Sequence, residues 1–306
     1  MKKVQSIETI TEYNILAQHE TLHPLISVID FSKMKMPKGK RKKPDIQALS
    51  FGFFSIFLKE DNKHCEIRYG RNTYDYQKGT LVFIAPGQVV SIEEDGEDYH
   101  PSGQALLFHP DFLRGTSLAQ HIKDYHFFSY DVHEALHLSE NEKQIILDCL
   151  RKIDFELQHA IDKHSKRLII SNIELFLNYC VRFYDRQFTT RDHVNPGILE
   201  KFDELLNEYF NSDRPQTIGT PTVAFFAEQF HLSSNYFGDL IKKETGKTAQ
   251  EYIQSKVIDV AKEKIFDPDK SVSEIAYELG FKYPQHFTRL FKQKTGYTPA
   301  EYRIAN

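Results

Sequence analysis

The chain has 306 residues, of which 40% are hydrophobic and 27% charged, and its formal net charge is −4. That length points to about two domains, and the balance is ordinary for a globular protein and excludes one whose overall basicity drives it onto nucleic acid. The three cysteines, Cys65, Cys149 and Cys180, form no C-x-x-C pair, which excludes a disulfide framework and a zinc signature, and no apolar run approaches the roughly 18–20 residues needed to span a bilayer.

The chain opens MKKVQSIETITEYN, with no apolar stretch behind its two lysines, so no secretory signal is expected. The sparse thiols fit a reducing, cytoplasmic setting. Up to about Gln120 the texture is β-like. SFGFFSIFLK (Ser50–Lys59), TLVFIAP (Thr80–Pro86) and GQALLFHP (Gly103–Pro110) are short aromatic and branched runs punctuated by turn residues, which predicts a small barrel or sandwich. Phe51, Phe53, Phe54, Phe57 and Phe83 either fill its core or line an effector pocket, with Phe51, Phe53 and Phe83 as the pocket candidates. The run KMKMPKGKRKK (Lys33–Lys43) reads as a solvated loop rather than a nucleic-acid patch, because Pro37 and Gly39 break any helical face. His64, His100 and His109 include no H-x-H pair, so no metal is expected.

From Ser139 to about Arg186 the period becomes helical. Ile145, Ile146, Cys149, Ile153 and Leu157 make one apolar stripe, and Leu168, Ile169, Ile173, Phe176, Leu177 and Cys180 make another. Ser139-Glu140-Asn141-Glu142 offers a capping box for the first. Two antiparallel helices joined near Lys163–Lys166 are expected. The polar stretch TTRDHVNPG (Thr189–Gly197) reads as a linker, and from Ile198 onward the pattern is helical throughout.

This last region repeats itself. KKETGKTAQEYI (Lys242–Ile253) is echoed by KQKTGYTPAEYR (Lys292–Arg303), and Leu240, Thr245, Gly246 and Tyr252 match Leu290, Thr295, Gly296 and Tyr302. The offset is about fifty residues, a period that marks a repeated supersecondary unit. In the second copy Ser271-Val272-Ser273-Glu274 is a capping box, Gly280 stops the helix, Phe281 anchors the turn and Pro284 suits the first position of the next helix. Phe287, Leu290 and Phe291 form its inner face and Gln285, His286, Thr288, Arg289 and Lys292 its outer face. The first copy runs VAFFAEQF (Val223–Phe230), the turn HLSS, then NYFGDLIKKET (Asn235–Thr245). Between the copies Thr248-Ala249-Gln250-Glu251 caps a helix to about Phe266. Each copy is therefore helix, short turn, helix, the pattern whose second helix enters the major groove. Two copies on a rigid strut are suited to successive segments of one DNA face, about one helical turn (~34 Å) apart.

SVSEIAYELGFKYPQHFTRLFKQKTGYTPAEYR (Ser271–Arg303) resembles the second helix-turn-helix of the AraC/XylS family of bacterial transcription regulators. FHPDFLRG (Phe108–Gly115) and RFYDRQF (Arg182–Phe188) are similar to one subgroup, and YDYQKGTLVFIAPGQ (Tyr74–Gln88) resembles the G-x-L-x-F-x-x-P segment of that family's cupin-like barrel. The resemblance implies an α+β chain: a cupin-like β sensor domain over 1–130, a helical linker or dimerisation segment over 131–190 and an all-α DNA-binding domain over 198–306. It implies double-stranded DNA as partner, a small-molecule effector, a homodimer, and RNA polymerase as a further partner, with no cofactor and no catalytic residue.

The same resemblance places Gln285, His286 and Arg289 toward base edges, which suits Arg on guanine and Gln on adenine. Lys282, Tyr283, Lys292 and Lys294 are expected on phosphates. In the first copy Ser234 and Asn235 are expected on bases, with Tyr236, Lys242 and Lys243 on phosphates. Asp239 departs from the family, which often has a basic residue there; a carboxylate repels phosphates unless it accepts from cytosine N4. Gly238 beside it removes another contact. A metal-dependent cupin enzyme with an accessory helical domain is the alternative reading, opposed by the missing H-x-H pair.

Overall fold

The structure, a computed structural model, describes residues 4–33, 48–59, 65–66, 79–90, 93–94, 102–131, 134–160, 162–191 and 197–305. It divides into two compact units, Met1–Thr190 and Arg191–Asn306. Among the described residues no helix is long and apolar enough to cross a membrane.

The first unit runs β1 (Val4–Ile7), α1 (Ile10–Leu16), β2 (Ile26–Asp30), β3 (Ala48–Phe51), β4 (Phe54–Lys59), β5 (Cys65–Glu66), β6 (Thr80–Ile84), β7 (Val89–Val90), β8 (Glu93–Glu94), β9 (Gly103–Phe108), α2 (Pro110–Leu113), α3 (Ser117–His121), β10 (Leu136–His137), α4 (Glu140–Gln158) and α5 (Ser165–Arg191). Five strands form one sheet in the order β10-β6-β4-β9-β2, and three form another in the order β1-β3-β7. The two sheets share one core, with Ile7, Phe51 and Val90 from the smaller and Ile29, Val82, Ile84, Ala105 and Leu107 from the larger. The α1 helix, unexpected within this strand-like region, is signalled by its own capping box: the Thr9 side chain accepts from Glu12 N while Glu12 accepts from Thr9 N. This helix sets the Tyr13 ring edge-on to Phe51 and Phe53, with centroids 5.8 and 6.1 Å apart.

Every residue of β6 is buried, because its sheet is covered on both faces. Val82 and Ile84 enter the shared core, whereas the alternate residue Phe83 turns to the other face. There its ring lies 4.4 Å from Phe127 and 6.2 Å from Tyr184 of α5. The expected pocket trio is therefore divided: Phe51 and Phe53 lie in the shared core, and Phe83 packs against the helical layer. Strand alternation sends them apart.

The α5 helix also covers the edge strand β10. Gln187 accepts from His137 N at 2.8 Å and donates to Ala135 O at 3.2 Å, so its buried amide pairs with edge groups that would otherwise stay open. Arg186 adds bonds to His137 O and to Glu142. The expected capping box of Ser139 and Glu142 starts α4. The α5 helix continues through Thr189–Arg191, where the sequence suggests linker, and residues 192–196 lie outside the described residues.

The second unit is all helical: α6 (Ile198–Phe210), α7 (Arg214–Ile218), α8 (Val223–Gln229), α9 (Ser234–Thr245), α10 (Ala249–Lys264), α11 (Val272–Glu278), α12 (Pro284–Thr295) and α13 (Pro299–Ala305). One core joins them, with Phe202, Phe226, Phe237, Ile253, Val257, Ala261, Ile275, Phe287 and Phe291 at its centre. The α10 helix packs against both α9 and α12, and Thr248 and Glu251 cap it reciprocally. Its Tyr252 hydroxyl lies 2.9 Å from Asp203 of α6. Burial first, and that bond second, push the Tyr252 phenol up to about 12.

Candidate nucleic-acid interface

In each repeat the second helix is fixed in rotation by its buried face. Phe237 and Ile241 of α9, and Phe287 and Phe291 of α12, are fully buried. A helix with apolar residues at this spacing turns its remaining residues outward. On α12 these are Gln285, His286, Arg289, Lys292 and Lys294, all exposed; on α9 they are Ser234, Asn235, Lys242 and Lys243, also exposed. Both helices end in the same way, with Gly246 at φ 71 and Gly296 at φ 84 donating to Lys242 O and Lys292 O respectively.

The start of α12 is arranged by rings. Tyr283 is its N-cap residue, and its ring meets His286 edge-on at 5.5 Å. Lys282 Nζ lies 5.8 Å from the same ring. Lys282, Tyr283 and His286 thus form one exposed cluster beside Gln285 and Arg289.

One candidate does not fit. Tyr236 is only 2% exposed, so its expected place on phosphate is corrected. The matching position in the other repeat, His286, is exposed. A tyrosine passes for a surface residue in sequence because its ring can serve either environment. The Ser233 side chain accepts from Tyr236 N at 3.2 Å, capping α9 and holding that residue at the first turn.

Among the described residues no group of three or more His, Cys, Asp or Glu side chains could hold a metal ion. His109 Nδ1 instead accepts from Asp111 N at 3.1 Å and caps α2. His64, His100 and residues 34–43 of the lysine run lie outside the described residues.

Residues 226–305 match the family model of a helix-turn-helix domain, and residues 64–160 match that of an AraC-like ligand binding domain. The HTH-type transcriptional activator RhaS of Salmonella paratyphi A is similar to 160 residues, 36% identical over 52% of this chain and 55% of its own length. The uncharacterized HTH-type transcriptional regulator YtdP of Bacillus subtilis is 37% identical over 82 residues, 27% of this chain and 11% of its own. Among solved structures, the C-terminal domain of the two-component response regulator yesN from Fusobacterium nucleatum has 28% identity and a TM-score of 0.30, over 34% of this chain and 98% of that one. The chain thus spans from 11% to 55% of the length of the two curated relatives.

Proposed function

We propose that this chain, which carries the two domains of the AraC-type regulators, is a sequence-specific DNA-binding transcription regulator that answers to a small effector. One observation carries the reading: two helix-turn-helix units pack on the single helix α10, and each leaves the outer face of its second helix exposed. Arg289, Gln285, His286, Asn235 and Ser234 are the base-reading residues, and Lys242, Lys243, Lys282, Tyr283, Lys292 and Lys294 the phosphate-binding ones. Arg289 can fork onto guanine O6 and N7, which gives it the sharpest role. The protein acts in the cytoplasm, on promoter DNA, by recruiting or excluding RNA polymerase.

The effector binds in the first unit. The Ser55 hydroxyl supports this: it is buried and has no partner among the described residues, and its strand neighbours Ile84 and Leu107 lie in the shared core. A buried hydroxyl without a partner is a cost that a bound ligand would remove. The homodimer is supported by exposed Leu168 and Leu175, seven residues apart on one face of α5. Light scattering on a Leu168→Asp, Leu175→Asp variant tests it, with a monomer expected.

A mobility shift against duplex from the gene's own upstream region, with unrelated duplex as competitor, tests the function. Arg289→Ala is expected to lose sequence preference at one position while retaining nonspecific affinity. Preference unaltered by that substitution overturns the assignment of Arg289, and no salt-sensitive affinity for any duplex overturns the function.

A further inference from the structure

The second helices of the two units match residue for residue, and three of the pairs differ in one direction. Asn235 stands opposite Gln285, Gly238 opposite Thr288 and Asp239 opposite Arg289. In each of these three pairs the first unit has the shorter side chain. Phe237 and Ile241 are buried as Phe287 and Phe291 are, so α9 and α12 present matching positions from the same rotation in their units. Asn235 and Asp239 are four residues apart and share one face of α9.

We infer that Asp239 selects a cytosine, by accepting a hydrogen bond from its N4 amino group, and that α9 lies nearer the base edges than α12 does. This rests on the DNA-binding reading above. A carboxylate accepts and cannot donate. In the major groove guanine offers two acceptors, thymine one acceptor and a methyl group, and adenine an acceptor beside its amino group. Cytosine alone offers a donor with no acceptor, so it alone suits Asp239. A carboxylate facing phosphates is repelled, so on a duplex the base edge is a more favourable place for it than the backbone. Its stem is short, and reaching a base requires the backbone of α9 to come close. Gly238 permits this: a Cβ there would meet nothing within 4 Å, so no packing demand inside the domain accounts for the glycine. Within a helix glycine costs stability relative to alanine, and close approach to a ligand is one of its recognised uses.

The test is selection of bound sequences from a pool of randomised duplexes by the full-length wild type and by Asp239→Asn, Arg289→Ala and Gly238→Ala. The wild type is expected to enrich two blocks, one with a cytosine favoured roughly fivefold or more over the other bases. Asp239→Asn should replace that cytosine with adenine, which asparagine pairs with, and leave the second block unaltered. Gly238→Ala should raise the thermal midpoint, as alanine favours helix, yet weaken affinity for the selected duplex several-fold. A motif unaltered by Asp239→Asn, with affinity raised equally for all sequences, reduces Asp239 to a bare charge and overturns the inference. So does a Gly238→Ala variant that binds as well as the wild type. If the second block depends on Arg289 while the first ignores Asp239, this inference alone falls. A wild type that enriches no sequence removes the DNA-binding reading beneath it.

Discussion

The two helix-turn-helix units make the same bend with different residues. The first turns at His231, with φ 56, and the second at Gly280, with φ 87. Left-handed backbone suits glycine and costs other residues roughly 1–2 kcal/mol. His231 is exposed. Gly280 answers a second demand: a Cβ there would lie 2.4 Å from Gly219 C and 2.7 Å from Pro215 O. The end of α7 packs its backbone directly on that turn, and the Tyr209 hydroxyl holds Gly219 O at 2.8 Å. The same dihedral is a local tolerance in one unit and a packing requirement in the other.

The largest expected effect breaks this contrast directly. Gly280→Ala should destabilise the second unit by about 3 kcal/mol or more, because strained backbone and a clash with rigid backbone add. His231→Gly should leave stability within about 1 kcal/mol of wild type, since relief of strain is offset by the freer unfolded chain. Urea unfolding of the full chain, with hydrogen exchange followed in α11 and α12, measures both. Equal costs at the two turns would refute the distinction.

A second difference lies fifty residues apart at the last helix of each repeat. Ile253 of α10 is buried, while its counterpart Arg303 of α13 reaches back to Ile265 O at 2.6 Å and Lys270 O at 2.8 Å. Its guanidinium satisfies two carbonyls where α10 ends and the next repeat begins. Arg303→Ala should cost about 2–3 kcal/mol, as hydrogen bonds from a charged group are lost. Arg303→Lys should recover little of it, because an ammonium has no fork to span both oxygens. A lysine variant as stable as wild type would show that charge alone suffices.

What the sequence made legible follows from which signals are local. The boxes at Ser139, Thr248 and Ser271, and the stops at Gly246, Gly280 and Gly296, are written in adjacent residues, and the helices begin and end there. The outer faces bearing Gln285 and Arg289 follow from the spacing of Phe287 and Phe291. Facts that depend on distant chain were not legible. Phe83 faces the helices because α5 covers the sheet, and a strand buried on both sides carries no alternation to show it. Tyr236 is buried where repeat logic pairs it with an exposed histidine. The turn HLSS was legible, but not the left-handed backbone at His231, where the other repeat has glycine. The helix α1 was readable from Thr9 and Glu12, but strand-like texture around it obscured the signal.

The smallest expected effect concerns charge. Glu278 of α11 takes a bond from Lys270 at 2.6 Å and another from Lys264 at 3.3 Å, tying α11 to the end of α10. Its counterpart in the first unit is Gln229, which does not titrate. The Lys270 bond, and after it that of Lys264, hold the Glu278 carboxyl below the usual carboxylate range despite some desolvation. A carboxyl lowered on folding adds stability above its unfolded value, about 4.3, and loses it as pH falls through the folded one. Glu278→Gln should therefore lower stability at pH 7, by less than about 1 kcal/mol because these pairs are partly solvated. The gap between wild type and variant should close as pH is lowered below about 4. Gln229→Glu should gain no comparable pH dependence. Thermal midpoints from pH 7 down to the acid limit of folding provide the measurement. A gap that stays constant with pH would place the contribution of Glu278 in packing rather than charge.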